Sequence, residues 1–232
     1  MTRCSVAVMA HPSRAAAVDG LCARLDRDPT VVWDEVGIEW HTGRRAIAAV
    51  PDDATHHLVL QDDAVIPADL VAGVEAALDY VPPDAAMSLY LGRKGPDQAR
   101  VNAIATAGQD RSWIVIPRML HGVAVVLPAA WCEPIAAFAP RGIEMYDARI
   151  SRWLVRHRCE VWYPNPSLVD HDESSPSLLG HDRHDGGRVA YRFIGQDRSA
   201  LDFDPTRGVY LAPDPRGRIQ YARRFADPTL SA

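Results

Sequence analysis

At 232 residues the chain suits one sizeable domain, at roughly 100–200 residues per domain. With 47% hydrophobic and 24% charged residues its composition is that of a globular protein, which excludes a disordered, collagenous or coiled-coil chain. A formal net charge of -5 without a long basic run argues against a nucleic-acid coat and against a polybasic membrane anchor, so its charged partners are expected to be small.

The N-terminal stretch 5–10 is a short apolar run of the kind a buried strand uses, and it ends in the polar cluster His11-Pro12-Ser13-Arg14. No signal-peptide pattern follows it. The spacing predicts a helix over 14–27 with Ser13 as its N-cap, a strand over 30–35, and a helix over 43–50 that stops at Pro51. A third strand has its apolar body from Leu58 to Leu60, a helix over 67–81 carries Ala68 and Asp69 in its first turn, and a fourth strand covers 86–92. This alternation predicts an α/β fold with a mainly parallel central sheet flanked by helices.

After Gly92 the pattern changes. Residues 93–111 read as a polar loop or lid, followed by strands over 113–117 and 121–128 and a helix over 129–139. The helix over 146–158 is strongly amphipathic, with Ile150, Trp153 and Leu154 on one face. A strand at 161 gives way to Pro-rich irregular chain, and from Asp172 onward only the islands 189–195 and 208–213 are apolar. The expected organisation is a single domain over 1–175 with a loop-rich C-terminal extension over 176–232, in which Phe193 and Ile194 pack back on the sheet and Arg188 and Arg192 face the site. The longest apolar stretch after the first strand, Gly122 to Trp131, is broken by Pro128 and falls short of the roughly 20 residues of a membrane span. The four cysteines, Cys4, Cys22, Cys132 and Cys159, show neither a C-x-x-C pair nor zinc-finger spacing and read as buried thiols of a reducing, cytoplasmic compartment.

Chemistry concentrates in one string. Asp62 and Asp63 directly follow the apolar body of the third strand, and open α/β sheets bind ligands beyond the carboxyl ends of their strands. Two carboxylates there suit a hard divalent cation bridging to a diphosphate, or else Gln61, Asp62 and Asp63 form a polar turn; the string alone leaves both open. No G-x-G-x-x-G follows the first strand and no P-loop occurs. His171, late in the chain, is a candidate to complete a cation site with Asp63, while His181 and His184 lie in a Gly- and Asp-rich tract that reads as a solvated loop.

The order of strings resembles GT-A fold glycosyltransferases, in particular small bacteriophage and bacterial members with an L-[EQ]-D-D motif. The matching residues are Val6 to Arg14, Trp33 and Asp34, Gly43 to Ala46, Leu60 to Ala64, His121 to Val126, Tyr146 to Arg149 and Pro166 to His171. The resemblance implies a GT-A-like, Rossmann-like sheet and a metal-assisted transfer of a sugar from a nucleotide-diphosphate sugar to a hydroxyl on a glycan, protein, lipid or small acceptor. It implies that Asp63 and His171 ligate Mn²⁺ or Mg²⁺, and that Asp62 lies near the ribose and donor sugar. It further implies that Ala10, His11 and Arg14 border the nucleotide, with Asp34 near its base or ribose and Arg44 or Arg45 near the diphosphate. Gln61 stands where many relatives carry an acid, which puts an amide at a contact often made to ribose. For the catalytic base it implies an acid at the start of a helix after the acceptor loop, where Asp147 fits and Glu144 is the alternative. Two other functions are carried alongside: a metal-dependent phosphoester or pyrophosphate hydrolase built from Asp62, Asp63, His171, His181 and His184, and a non-catalytic nucleotide-sugar-binding partner.

Overall fold

A computed structural model of the protein describes residues 2–93, 98–140, 145–174 and 188–213. In chain order its elements are β1 (Cys4–Ala10), a 3-10 turn (Pro12–Arg14), α1 (Ala15–Arg24), β2 (Thr30–Trp33), α2 (Glu39–Ala48), β3 (His56–Gln61), β4 (Ala64–Val65) and α3 (Leu70–Leu78). They continue with β5 (Ala86–Ser88), α4 (Gln98–Ala107), β6 (Trp113–Ile116), β7 (Ala124–Pro128), α5 (Ala129–Ala137), α6 (Tyr146–His157), β8 (Val161–Pro164), β9 (Asp170–His171), a 3-10 turn (Ala200–Asp202) and β10 (Val209–Leu211).

Eight strands form one sheet in the order β10-β6-β8-β5-β7-β3-β1-β2. The sheet is mixed, which corrects the expectation of a mainly parallel one. β1 runs parallel to β2 and β3, but β7 enters antiparallel between β3 and β5, and β6 lies antiparallel to β8. The sequence alternation is genuine through β5, yet it says nothing of which later strand inserts beside β3.

Alternation along each strand feeds two cores. Cys4, Val6, Val8 and Ala10 of β1 with Leu58 and Leu60 of β3 face α1 and α3, where Val18, Leu21, Leu70, Val71 and Val74 meet them. Ala7, Met9 and Val59 face the opposite way, toward Trp40 and Ile47 of α2, Ile135 of α5, and Tyr146, Ile150 and Leu154 of α6. Both faces being covered is why the strands read as continuous apolar runs, each fully buried Leu or Val contributing roughly 1.5–3 kcal/mol. His57 is one of the polar residues inside, fully buried, with Nε2 donating to Ala46 O at 2.8 Å and Nδ1 accepting from Ser5 Oγ at 2.7 Å.

Several local expectations change. Residues 98–107, expected as loop, form α4, which buries Val101, Ile104 and Ala105. Ser13 caps no helix; His11 caps the 3-10 turn, its ring accepting from Ser13 N–H. Asp69 sits at the N-cap of α3 in a left-handed conformation, its carboxylate accepting from Ser199 Oγ at 2.8 Å, and is not inside the first turn. The C-terminal extension supplies an edge strand, β10, parallel to β6, while Phe193 and Ile194 pack against the core as expected. Of the cysteines only Cys4 and Cys132 are buried; Cys22 and Cys159 are half-buried. No described helix is long and apolar enough to cross a membrane.

Candidate functional site

The carboxyl ends of β1, β2 and β3 open onto a cleft of about 250 Å³, lined among others by Ala10, His11, Arg14, Asp34, Glu39, Gln61, Asp62, Asp63, His171 and Arg188. Its floor is set by register. β1 and β3 pair Met9 with Gln61, so the residues that follow each strand, His11 and Asp62, emerge side by side. The His11 N–H donates to Asp62 Oδ2 at 2.7 Å. The 3-10 turn then brings Arg14 back over the acids, and a single nitrogen, Nη1, donates to Asp62 Oδ1 at 2.6 Å and to Asp63 Oδ2 at 2.7 Å.

His171 arrives from the far side of the sheet. The short β4–β9 ladder pairs Ala64 with His171 and sets Nε2 3.2 Å from Asp63 Oδ2. The other ring nitrogen, Nδ1, lies 3.1 Å from the Asp172 carbonyl, which only accepts, so Nδ1 carries a hydrogen and Nε2 is the nitrogen presented to the cleft. Arg188 adds a second guanidinium 3.9 Å from the same Asp63 oxygen.

Burial alone would raise the pKa of both acids. For Asp63 the His171 hydrogen bond and the charges of His171 and Arg14 outweigh burial and hold it at about 2. Asp62 shares Arg14 but not His171, and burial leaves it above the ordinary carboxylate range. The buried Asp63 Oδ1 has no hydrogen-bond partner among the described residues.

A divalent cation fits this arrangement as a shared ligand and not as a closed protein cage. Among the described residues no group of three or more His, Cys, Asp or Glu surrounds a common point. Asp63 Oδ1 would supply one donor of the kind Mg²⁺ or Mn²⁺ accepts, and His171 Nε2 a second once it gives up the hydrogen it shares with Asp63 Oδ2, with phosphate oxygens and water completing the shell.

The opposite wall comes from the β2–α2 connection. Asp34 Oδ1 accepts from Val36 N, Gly37 N and Thr42 Oγ at 3.0–3.1 Å, and these donors outweigh its desolvation and lower its pKa. Gly37 lies at φ 69°, a left-handed conformation that glycine adopts without strain. Glu39, the first residue of α2, accepts from Gln61 Nε2 at 3.3 Å and from the Tyr146 backbone N–H at 3.1 Å. Burial raises its pKa, and the charges of Asp147 and Asp63 raise it further.

Ala10, His11, Arg14, Asp34, Gln61, Asp62, Asp63 and His171 therefore share one cleft. Arg44 is exposed on α2, and Arg45 donates to Trp33 O at 3.0 Å and pairs with Glu35 at 2.8 Å; neither lines the cleft. Asp147 lies in the first turn of α6, half-buried and not among the residues that line the cleft, and Glu144, His181 and His184 lie outside the described residues. Arg188 lines the cleft, whereas Arg192 donates to Gln109 O at 2.9 Å and does not. Trp113, Trp153 and Trp162 are core residues. Glu39 was not singled out from the sequence, because the helix was expected to begin only at Gly43; an acid just before Trp40 is the first-turn signal that would have found it. No protein-family model and no curated protein matches the chain.

Proposed function

We propose that the chain is a metal-assisted glycosyltransferase that moves a sugar from a nucleotide-diphosphate donor to a hydroxyl acceptor. The observation that carries this reading is the convergence of Arg14, Asp62, Asp63 and His171 at the carboxyl ends of parallel strands, with Asp63 Oδ1 meeting no donor among the described residues. That edge is where open α/β sheets hold nucleotides.

On this reading Ala10 and His11 border the nucleotide, and Asp34 shapes the loop that closes its far side. The amide of Gln61, tied to Glu39, replaces the acid that related enzymes present to ribose. Arg14 and Arg188 place positive charge where a diphosphate sits, and a guanidinium fork suits phosphate oxygens as well as carboxylates. Asp63 and His171 would hold Mn²⁺ or Mg²⁺, which neutralises charge on the departing diphosphate.

The test is a melting-temperature panel with UDP, GDP, CMP and their sugars, each with and without Mn²⁺. Ligand at a hundredfold excess over its dissociation constant stabilises the native state by about 2.7 kcal/mol. One nucleotide should raise Tm only with Mn²⁺, and the rise should vanish in Asp63→Ala. No shift with any nucleotide overturns the reading.

A further inference from the structure

We propose that Glu39 is the group that takes the proton from the acceptor hydroxyl. This rests on the transfer reading above. Among the described residues four carboxylates line the cleft, and three are committed elsewhere. Both oxygens of Asp62 accept hydrogen bonds, from Arg14 and from the His11 N–H. Asp63 Oδ2 accepts from Arg14 and faces His171 at 3.2 Å. Asp34 Oδ1 holds the β2–α2 turn through three donors.

Glu39 differs from Asp62 and Asp63 in accepting from no cationic side chain among the described residues, and from Asp34 in that neither oxygen is held by three donors. Each of its oxygens accepts one hydrogen bond, from Gln61 Nε2 and from the Tyr146 N–H, which orients the carboxylate while leaving lone pairs on both oxygens. Gln61 acquires a reason in the same contact. A carboxylate at 61 would repel the half-buried Glu39, whereas the amide donates to it. Among the described residues, Asp147 in the first turn of α6 and Asp63 beyond β3, both negative, increase its affinity for a proton. Arg149 of the same helix is turned away, its guanidinium lying 4.8 Å over the Trp40 ring. Tyr146 brings the α6 N-terminus this close because glycine stands at 43 and 122; a Cβ at either position would overlap its ring.

The step balances without a further reactant. The acceptor O–H bond breaks and its proton passes to a Glu39 oxygen as the acceptor oxygen bonds to the anomeric carbon. The bond from that carbon to the diphosphate oxygen breaks, and its electron pair leaves with the nucleoside diphosphate.

The test uses the full chain with a panel of UDP- and GDP-linked hexoses and Mn²⁺, reading both the Tm shift and release of nucleoside diphosphate with water as acceptor. Glu39→Gln should keep the Tm shift and lose turnover by roughly 100-fold or more, the usual scale of general-base catalysis. Asp147→Asn should keep most turnover and move the acidic limb of the kcat/KM profile to lower pH, because one negative neighbour is gone. Turnover within a few-fold of the parent in Glu39→Gln overturns the assignment. Should Glu39→Gln not fold, the Asp147→Asn profile decides: a moved limb supports Glu39 and an unmoved one overturns it. A parent protein that no nucleotide sugar stabilises overturns the transfer reading itself, a result distinct from intact donor binding with an unaffected variant.

Discussion

Asp63 and His171 meet at 3.2 Å because a ladder of only two residues per strand, β4 with β9, closes the loop after β3 against the chain that leaves β8. The Asp172 N–H donates to the Asp63 carbonyl at 2.8 Å and locks the same crossing through the backbone. The imidazole and the carboxylate are thus placed by main-chain hydrogen bonds, so side-chain substitutions here should alter charge more than geometry.

Arg14 is the first place to apply that. Its side chain is 10% exposed and one nitrogen serves two adjacent carboxylates. Removing one partner of a buried ion pair typically costs about 3–5 kcal/mol, because the remaining charge stays desolvated. Arg14→Ala should lose stability on that scale in urea titrations, and Mn²⁺ should raise its Tm more than it raises that of the parent. A loss below about 1 kcal/mol, the value of an exposed pair, would show that the acids do not depend on Arg14.

The part of this site legible in the sequence was the part that follows strands. Asp62, Asp63 and His11 could be placed because a strand's end fixes what comes next, and His171 because it was read at the end of a late strand, in the string Pro166 to His171. Pairing order was not legible: a buried strand reads the same beside either neighbour, so nothing in Ala124 to Pro128 announced that β7 would separate β3 from β5. Glu39 stayed hidden because its role depends on Tyr146, whose approach requires glycine at two distant positions. Val209–Leu211 read as part of a tail because three residues carry too little periodicity to mark an edge strand.

Tyr146 offers a test of packing alone. Its ring is fully buried and its hydroxyl has no hydrogen-bond partner among the described residues. An unpaired buried hydroxyl costs free energy that its removal returns. Tyr146→Phe should therefore be as stable as the parent or more so, by up to about 1 kcal/mol, with an unchanged urea m-value. A destabilised Phe variant would show that the hydroxyl is paired through a buried water.

His57 predicts how stability depends on pH. Burial lowers its pKa, against the Ala46 carbonyl that its Nε2–H meets, so the folded protein holds it neutral below the pH at which the unfolded chain takes up a proton. The unfolded state then binds more protons, and stability falls as pH drops below the ordinary histidine value of about 6.5. The half-buried His56 is lowered by burial as well and adds in the same direction. His57→Gln, whose amide can still donate to Ala46 O, should be less stable at neutral pH but show a shallower decline toward pH 5. Equal slopes in the two proteins would place the pH dependence elsewhere.

The last prediction concerns the segment after Arg188. β10 pairs with Trp113, Ile114 and Val115 of β6, and Trp113 is held from the same segment, its Nε1 donating to Pro205 O at 3.0 Å while Phe203 meets its ring edge-on at 5.2 Å. Ser112 Oγ donates to the Asp204 carbonyl alongside. Ending the chain after Gly187 would uncover the apolar edge of β6 and the ring of Trp113, and an unpaired hydrophobic edge is a template for association. It would also remove Arg188 from beside Asp63. The shortened chain should therefore aggregate on gel filtration and lose nucleotide-dependent stabilisation. Ending it after Pro213 keeps β10 and Arg188, and that product should stay monodisperse. A monodisperse, nucleotide-responsive chain ending at Gly187 would show that the sheet closes without its eighth strand.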